Sequence, residues 1–252
     1  MPLPQPLPEG TTMLPKGTFA GQVVGVTGGG TGLGKAFALE FARLGATIVI
    51  LSRKEEHRLP GVRAVEAIGG RAIHLPLDVR DATAVKAAFD AIEANVGPVD
   101  VFLNNAAGNF PVPAEDLSPN GFRSVVQIDL EGTFNCSREF GRRAIAAGRA
   151  GAILNIGSPT YHGGGPGFAH VAAAKAGVHN LTYSLAVEWA PKMEFASTRW
   201  FPVTFRMTIC RLMSMLLTLA RRRALTRRRS GLANRMNWRG PRRFCAHRLL
   251  RW

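Results

Sequence analysis

The stretch VTGGGTGLGKAFA, residues 26–38, restricts the possible folds more than any other part of the chain. A β-branched run leads into it and an Ala-rich helical pattern leads out. Gly28, Gly32 and Gly34 allow a tight turn and close backbone approach, while the following helix points its first N–H groups at an anion such as a pyrophosphate. Glycines also serve ordinary turns. Between a strand and a helix, however, the arrangement reads as a dinucleotide cradle formed by Gly28, Gly30, Thr31, Gly32, Leu33 and Gly34.

The rest of the chain as far as residue 192 repeats the same alternation. Strands are predicted near residues 22–27, 46–51, 71–77, 99–103 and 151–156, and helices near 33–44, 82–94, 119–146 and 169–189. Ser118 is the expected N-cap of the third of these helices and Pro119 its first residue. Short apolar strands separated by helices imply an α/β domain, a doubly wound parallel sheet of Rossmann type. We expect a single such domain over residues 21–192, preceded by a flexible Pro-rich arm over 1–20.

The formal charge of +15 is concentrated at one end. Up to Lys192 there are 17 Lys and Arg against 16 Asp and Glu; from Met193 onward there are 15 Arg, no Lys and one acid, Glu194. Cys136, Cys210 and Cys245 form neither a metal-ligand spacing nor a disulfide framework, so no metal is expected and a reducing cytoplasm is. The longest apolar run of the tail, beginning at Leu212, is too short to span a bilayer.

After the second strand, where an acid would hold the ribose hydroxyls of NAD, the chain has Ser52 and Arg53. A guanidinium there suits the 2′-phosphate of NADPH, the other reading being a solvated loop arginine.

At this point the chain resembles the short-chain dehydrogenase/reductase family. TGGGTGLG matches the family's cofactor turn, LDV its adenine contact at Asp78 and Val79, and NNAAG the segment after its fourth strand with Asn105, Ala106 and Ala107. The resemblance covers about residues 19–191. Within the family, NNAAGNF, LSPNGF, IDLEGTFN, AAAKAGV and LAVEWAP look like the 2,4-dienoyl-CoA reductases of unsaturated fatty acid oxidation, which implies NADPH as cofactor and an acyl-CoA thioester as substrate. It also implies a homo-oligomer, a dimer or tetramer, associating through the helices that carry Asp129 and Lys175.

The family's usual active site is a Ser, a Tyr-x-x-x-Lys and an Asn. Ser158 and Lys175 stand at their positions, but Val171 replaces the tyrosine and Asp129 the asparagine. These departures resemble the peroxisomal type of dienoyl-CoA reductase. In that reading Lys175 holds the nicotinamide ribose and supports a proton-relaying water with Asp129, and Asn109 donates to the thioester carbonyl. Tyr161, fourteen residues before Lys175, resembles the tyrosine of the mitochondrial type with a spacing one residue short; its alternative is a loop residue over the pocket. Ser158 orients substrate or caps the loop. His162 and His170 have no triad or metal partner in the sequence and are read as structural.

After LAVEWAP the family pattern is a buried strand, Gly-Ile-Arg-Val-Asn, and then Pro-Gly, whereas this chain reads KMEFASTRWFPV. In the frame beginning with the last base of the Lys192 codon, Met193 with Glu194 force Gly, Trp200 with Phe201 force Val, and the other triplets permit Ile-Arg-Val-Asn-Ala-Val and Pro-Gly. We therefore expect a frameshift to have replaced the last strands of the family pattern, leaving residues 193–252 as an Arg-rich irregular or disordered tail. Loss of the buried sixth strand would remove on the order of 10 kcal/mol, comparable to the stability of a domain. The chain is thus expected to be poorly folded or inactive unless the tail compensates.

Two other functions remain open at this stage. One is a 3-oxoacyl or other carbonyl reductase of the same family, against which Val171 argues. The other is nonspecific nucleic-acid binding by the Arg clusters among Trp238 and Phe244.

Overall fold

Six parallel strands form one sheet among the residues that the computed structural model describes, 14–189 and 196–201. They are β1 (Val23–Thr27), β2 (Thr47–Ser52), β3 (Arg71–Pro76), β4 (Val101–Asn104), β5 (Gly151–Ile156) and β6 (Ala196–Phe201). Their order, β3-β2-β1-β4-β5-β6, reverses direction between β1 and β4. That reversal opens a crevice at the carboxyl ends of those two strands, the place where doubly wound sheets hold ligands. β1, β4 and β5 are buried throughout, as strands covered on both faces must be, whereas β3 at the edge is partly open.

The helices are α1 (Gly32–Arg43), α2 (Glu55–Ala67), α3 (Ala82–Val96), α4 (Pro119–Val126), α5 (Gly132–Ala146), α6 (Thr160–Gly163) and α7 (Ala169–Trp189). Ser118 caps α4 as expected, its hydroxyl accepting from the Gly121 N–H at 3.0 Å. Asp81 caps α3 by accepting from the N–H groups of Thr83 and Ala84. α2 is absent from the predicted elements because Pro60 and Gly61 lie within it. Its glycine is what allows the helix to pack onto the cofactor turn: a Cβ at Gly61 would come within 2.7 Å of the Gly30 Cα.

A core between the sheet and α3, α5 and α7 centres on Phe89, Phe102, Phe140 and Trp189. Gly141 of α5 admits the Trp189 indole of α7, whose ring would stand 2.5 Å from a Cβ there. The helix predicted over 119–146 is one rod whose residues Gln127–Glu131 form a π-helical turn. Such a turn re-aims side chains and is common at functional sites.

Two boundaries differ from expectation. The domain starts before residue 21: Leu14 and Phe19 are each 3% exposed, and the Phe19 ring meets Phe41 edge-on at 5.0 Å. Residues 1–13 of the expected arm lie outside the described residues. At the other end a strand does follow β5. β6 pairs with it in parallel from Gly151↔Ala196 to Ile156↔Phe201, so residues 196–201 are not irregular. The expectation of an irregular tail for residues 193–195 and 202–252 lies outside the described residues.

Candidate active site

The cofactor turn is held shut from behind. Gly28 and Gly32 adopt φ of +65° and +48°, which side-chain-bearing residues rarely take. A Cβ at Gly34 would collide with the Gly28 carbonyl and lie 2.6 Å from Asn105 Nδ2, and one at Gly30 would collide with the His57 carbonyl. Gly32 faces the other way, with nothing within 4 Å of a Cβ built on it, and Thr31 is exposed. The open face, with the first N–H groups of α1, fits the pyrophosphate of a dinucleotide. Leu33 is partly buried beside it.

Thr27 and Asn105 secure the turn and Arg58 the loop after β2; sequence reasoning missed Thr27 and Arg58. The Thr27 hydroxyl accepts from the N–H groups of Asn105 and Ala106, both at 2.9 Å, and donates to the Leu103 carbonyl. Asn105, expected at the cofactor, gives its amide to the carbonyls of Thr27 and Gly28 and so supports the turn itself. Arg58 of α2 is buried and donates from Nη1 to the carbonyls of Ser52 and Arg53 at 2.7 and 2.9 Å, and from Nε to His74 Nδ1 at 3.3 Å. It clamps the loop that presents Arg53.

Arg53 is exposed and Ser52 half-buried at the end of β2. Asp78 receives a fork from Arg80, with Nη2 at 2.6 Å from Oδ2, and Arg80 holds its carboxyl below the usual range, with a further contribution from Arg53. Arg53 and Asp78 therefore stand close enough to feel one another. Val79 is buried next to them, and Ala107 is exposed on the loop after β4.

The catalytic candidates meet beneath that loop. Lys175, 6% exposed on α7, donates to the Ile156 carbonyl at 2.9 Å and stands 3.4 Å from Asp129 Oδ2. Asp129, 1% exposed, is carried inward by the π-helical turn, and its Oδ1 accepts from the Gly108 N–H at 2.7 Å. Burial raises the Asp129 carboxyl above its ordinary value, opposed by Lys175, the Gly108 N–H and His170. Val171 packs with Val125 and Ala174, so the wall at the tyrosine position is apolar. Below, a buried relay fixes β4 and β5: Asn104 donates to Ser137 and Asn155, and Asn155 to Thr182.

Not every candidate joins this centre. The Ser158 hydroxyl lies 2.9 Å from that of Thr160 and accepts from the Thr160 N–H at 3.4 Å, which is the loop-capping alternative. Asn109 is exposed on the β4 loop, one residue beyond the Gly108 that binds Asp129. The backbone of Tyr161 lies in α6, and its side chain is outside the described residues.

Residues 22–196 match the short chain dehydrogenase family. The chain belongs to that family. It is 43% identical over 181 residues to an uncharacterized oxidoreductase of Caenorhabditis elegans, covering 70% of this chain and 57% of that protein. It is 42% identical over 168 residues to a probable 2,4-dienoyl-CoA reductase, (2E)-enoyl-CoA-producing, of Bacillus subtilis, covering 66% of each. A crystal structure of a short chain dehydrogenase from Bacillus anthracis superposes with a TM-score of 0.67 at 41% identity, covering 70% of this chain and 74% of that one. The chain spans less than two thirds of the length of these two sequence relatives. Short chain dehydrogenases are an oxidoreductase family built on a nicotinamide coenzyme, which accounts for the glycine turn.

Proposed function

We propose that the chain reduces 2,4-dienoyl-CoA thioesters with NADPH. The observation that carries this reading is the buried Asp129–Lys175 pair beside an apolar Val171. A carbonyl reductase needs a proton for the new alkoxide, which the family tyrosine supplies; valine supplies none. Reduction of a conjugated diene needs its proton on carbon, and a buried carboxyl with a raised pKa is suited to give it. The likeness to a probable 2,4-dienoyl-CoA reductase supports the same substrate.

When bound, the reduced nicotinamide supplies a hydride for the far end of the diene. The chain's own residues do the rest. Arg53, on the loop clamped by Arg58, would pair with the 2′-phosphate and select NADPH, and Ser52 would add a hydrogen bond. Lys175, fixed by the Ile156 carbonyl, would hold the nicotinamide ribose and keep Asp129 close. Asn109 would donate to the thioester oxygen, on which negative charge accumulates, lowering the barrier by a few kcal/mol at about the level of one oxyanion donor. Tyr161 is the alternative to the Asp129–Lys175 pair as the source of the proton. Asp129 then delivers a proton to carbon, directly or through water.

An acyl-CoA substrate, a homo-oligomer formed through the helical rod 119–146 that carries Asp129 and through α7, and a cytoplasmic location belong to the same proposal. Among the described residues no helix is long and apolar enough to cross a membrane. The test is NADPH oxidation by the full chain with 2,4-hexadienoyl-CoA and with acetoacetyl-CoA. Consumption with the dienoyl thioester alone is expected; consumption with only the 3-oxoacyl thioester overturns the reading.

A further inference from the structure

His170 is fully buried on the first turn of α7, and neither of its ring nitrogens has a hydrogen-bond partner. Its ring is covered by Phe110 of the β4 loop, with centroids 4.6 Å apart and planes inclined at 39°. A neutral imidazole carries one donor and one acceptor, and burying both without partners is costly enough that native structures rarely do so. An apolar side chain would fill the place beside Val171 at no such cost.

A second orphan lies on the π-helical turn, which packs against α7. Asp129 Oδ2 is buried and makes no hydrogen bond. The Lys175 ammonium stands 3.4 Å away, beyond the 2.7–2.9 Å of a charge-assisted bond, and is already committed to the Ile156 carbonyl. His170 and Asp129 are near enough that a protonated imidazole holds the carboxyl down. The charged groups paired there are Asp129 of the π-helical turn and Lys175 of α7.

We infer that His170 is a positioning residue for proton delivery, joined to Asp129 Oδ2 through one shared water, so that Asp129, His170 and Lys175 handle protons as a unit. A buried water commonly has about three polar partners; the imidazole, the carboxylate and the ammonium would be those of this one. The role deepens the dienoyl-CoA reductase reading and rests on it. The overall reaction forms two C–H bonds, one from the hydride of NADPH and one from a proton, and removes one π bond. The proton that Asp129 gives up is replaced from the His170 imidazolium, which is recharged from solvent past the partly exposed Phe110.

The first test needs no turnover. The full chain is labelled with 15N-histidine and its imidazole resonances followed between about pH 5 and 9, His170 being assigned by the signal lost in His170→Phe and in His170→Gln. We expect the His170 ring-nitrogen resonances to differ between the parent and Asp129→Asn, since the shared water would lose its carboxylate partner. His170 resonances that are indifferent to Asp129→Asn across the range overturn the inference. The second test is kinetic, with NADPH and 2,4-hexadienoyl-CoA. His170→Phe should lower kcat about tenfold or more with KM within about twofold, His170→Gln should recover part of it, and the pH profile should change shape in His170→Phe. Unchanged kcat and profile in both variants also overturn it. Absence of turnover in the parent chain would bear on the dienoyl-CoA reading or on the activity of a chain with this altered end, and would leave the NMR comparison to decide on His170.

Discussion

Lys175 Nζ stands 3.4 Å from Asp129 Oδ2, and the two residues are only 6% and 1% exposed. Neither charge could be kept in such a place alone, because an unpaired buried ion costs several kcal/mol. The pair is held by backbone on both sides, the Ile156 carbonyl at the lysine and the Gly108 N–H at the aspartate. It therefore ties the end of β5 to the β4 loop at the mouth of the cofactor crevice.

Asp129→Asn should reduce kcat for the dienoyl thioester by about 100-fold, the scale of a lost acid–base group. Its effect on stability has a definite pH dependence. Burial raises the Asp129 carboxyl, so the folded chain keeps that proton to a higher pH than the unfolded chain does. The resulting stabilisation is present at acid pH and is lost as pH rises through the native titration. Asparagine has no such titration. The melting temperature of the variant relative to the parent should therefore move in the variant's favour from about pH 4 upward; a difference that moves the opposite way contradicts the raised carboxyl.

Arg53→Ala should lower the preference for NADPH over NADH about 10- to 100-fold, the equivalent of one good charged hydrogen-bonding partner. Titration with each coenzyme checks this. An unchanged preference would return Arg53 to the solvated-loop alternative.

Arg58→Ala should cost about 2–3 kcal/mol in urea unfolding, because the carbonyls of Ser52 and Arg53 lose their charged donor. It should also weaken NADPH more than NADH by loosening the Arg53 loop. A purely global loss of stability with no change in coenzyme ratio contradicts the clamp.

Gly34→Ala should open the cofactor turn, since the new Cβ meets the Gly28 carbonyl and the Asn105 amide. About tenfold weaker NADPH binding and a loss of about 2 kcal/mol are expected. Equal binding by the variant would show that the turn can relax without consequence.

The tail supplies a further comparison. β6 has the sequence ASTRWF, whereas the shifted frame permits an apolar strand at the same register beside the fully buried β5. We propose that replacing residues 193–252 by the shifted-frame continuation raises the melting temperature by several degrees. No rise would mean that the present strand serves equally well.

Much of this was legible in the sequence because strong local signals coincide: a β-branched run, three glycines and a helix start can form little else. Lys175, Asp129 and the missing tyrosine at Val171 were identified through the family pattern, not through periodicity. Other features were hidden for physical reasons. α2 contains Pro60 and Gly61, which suppress a helix signal although tertiary packing on Gly30 accommodates both. The π-helical turn leaves no mark on hydrophobic spacing. Thr27, Asn104 and Arg58 act through partners at least five residues away in sequence, most of them far more distant. The stacking of Phe110 on His170 is set by the folded loop and leaves no mark in the sequence.

The most direct measurement is to reduce 2,4-hexadienoyl-CoA with NADPH in heavy water and locate the isotopes in the product by NMR. Hydride at the δ-carbon, one solvent deuteron on the α- or γ-carbon and an intact thioester are the predicted result, with the deuteron-transfer step slowed in Asp129→Asn. Hydrogen delivered to the carbonyl carbon, or to the β-carbon, would contradict the assignment of Asp129 and Lys175 as the proton-delivering centre of a dienoyl thioester reductase.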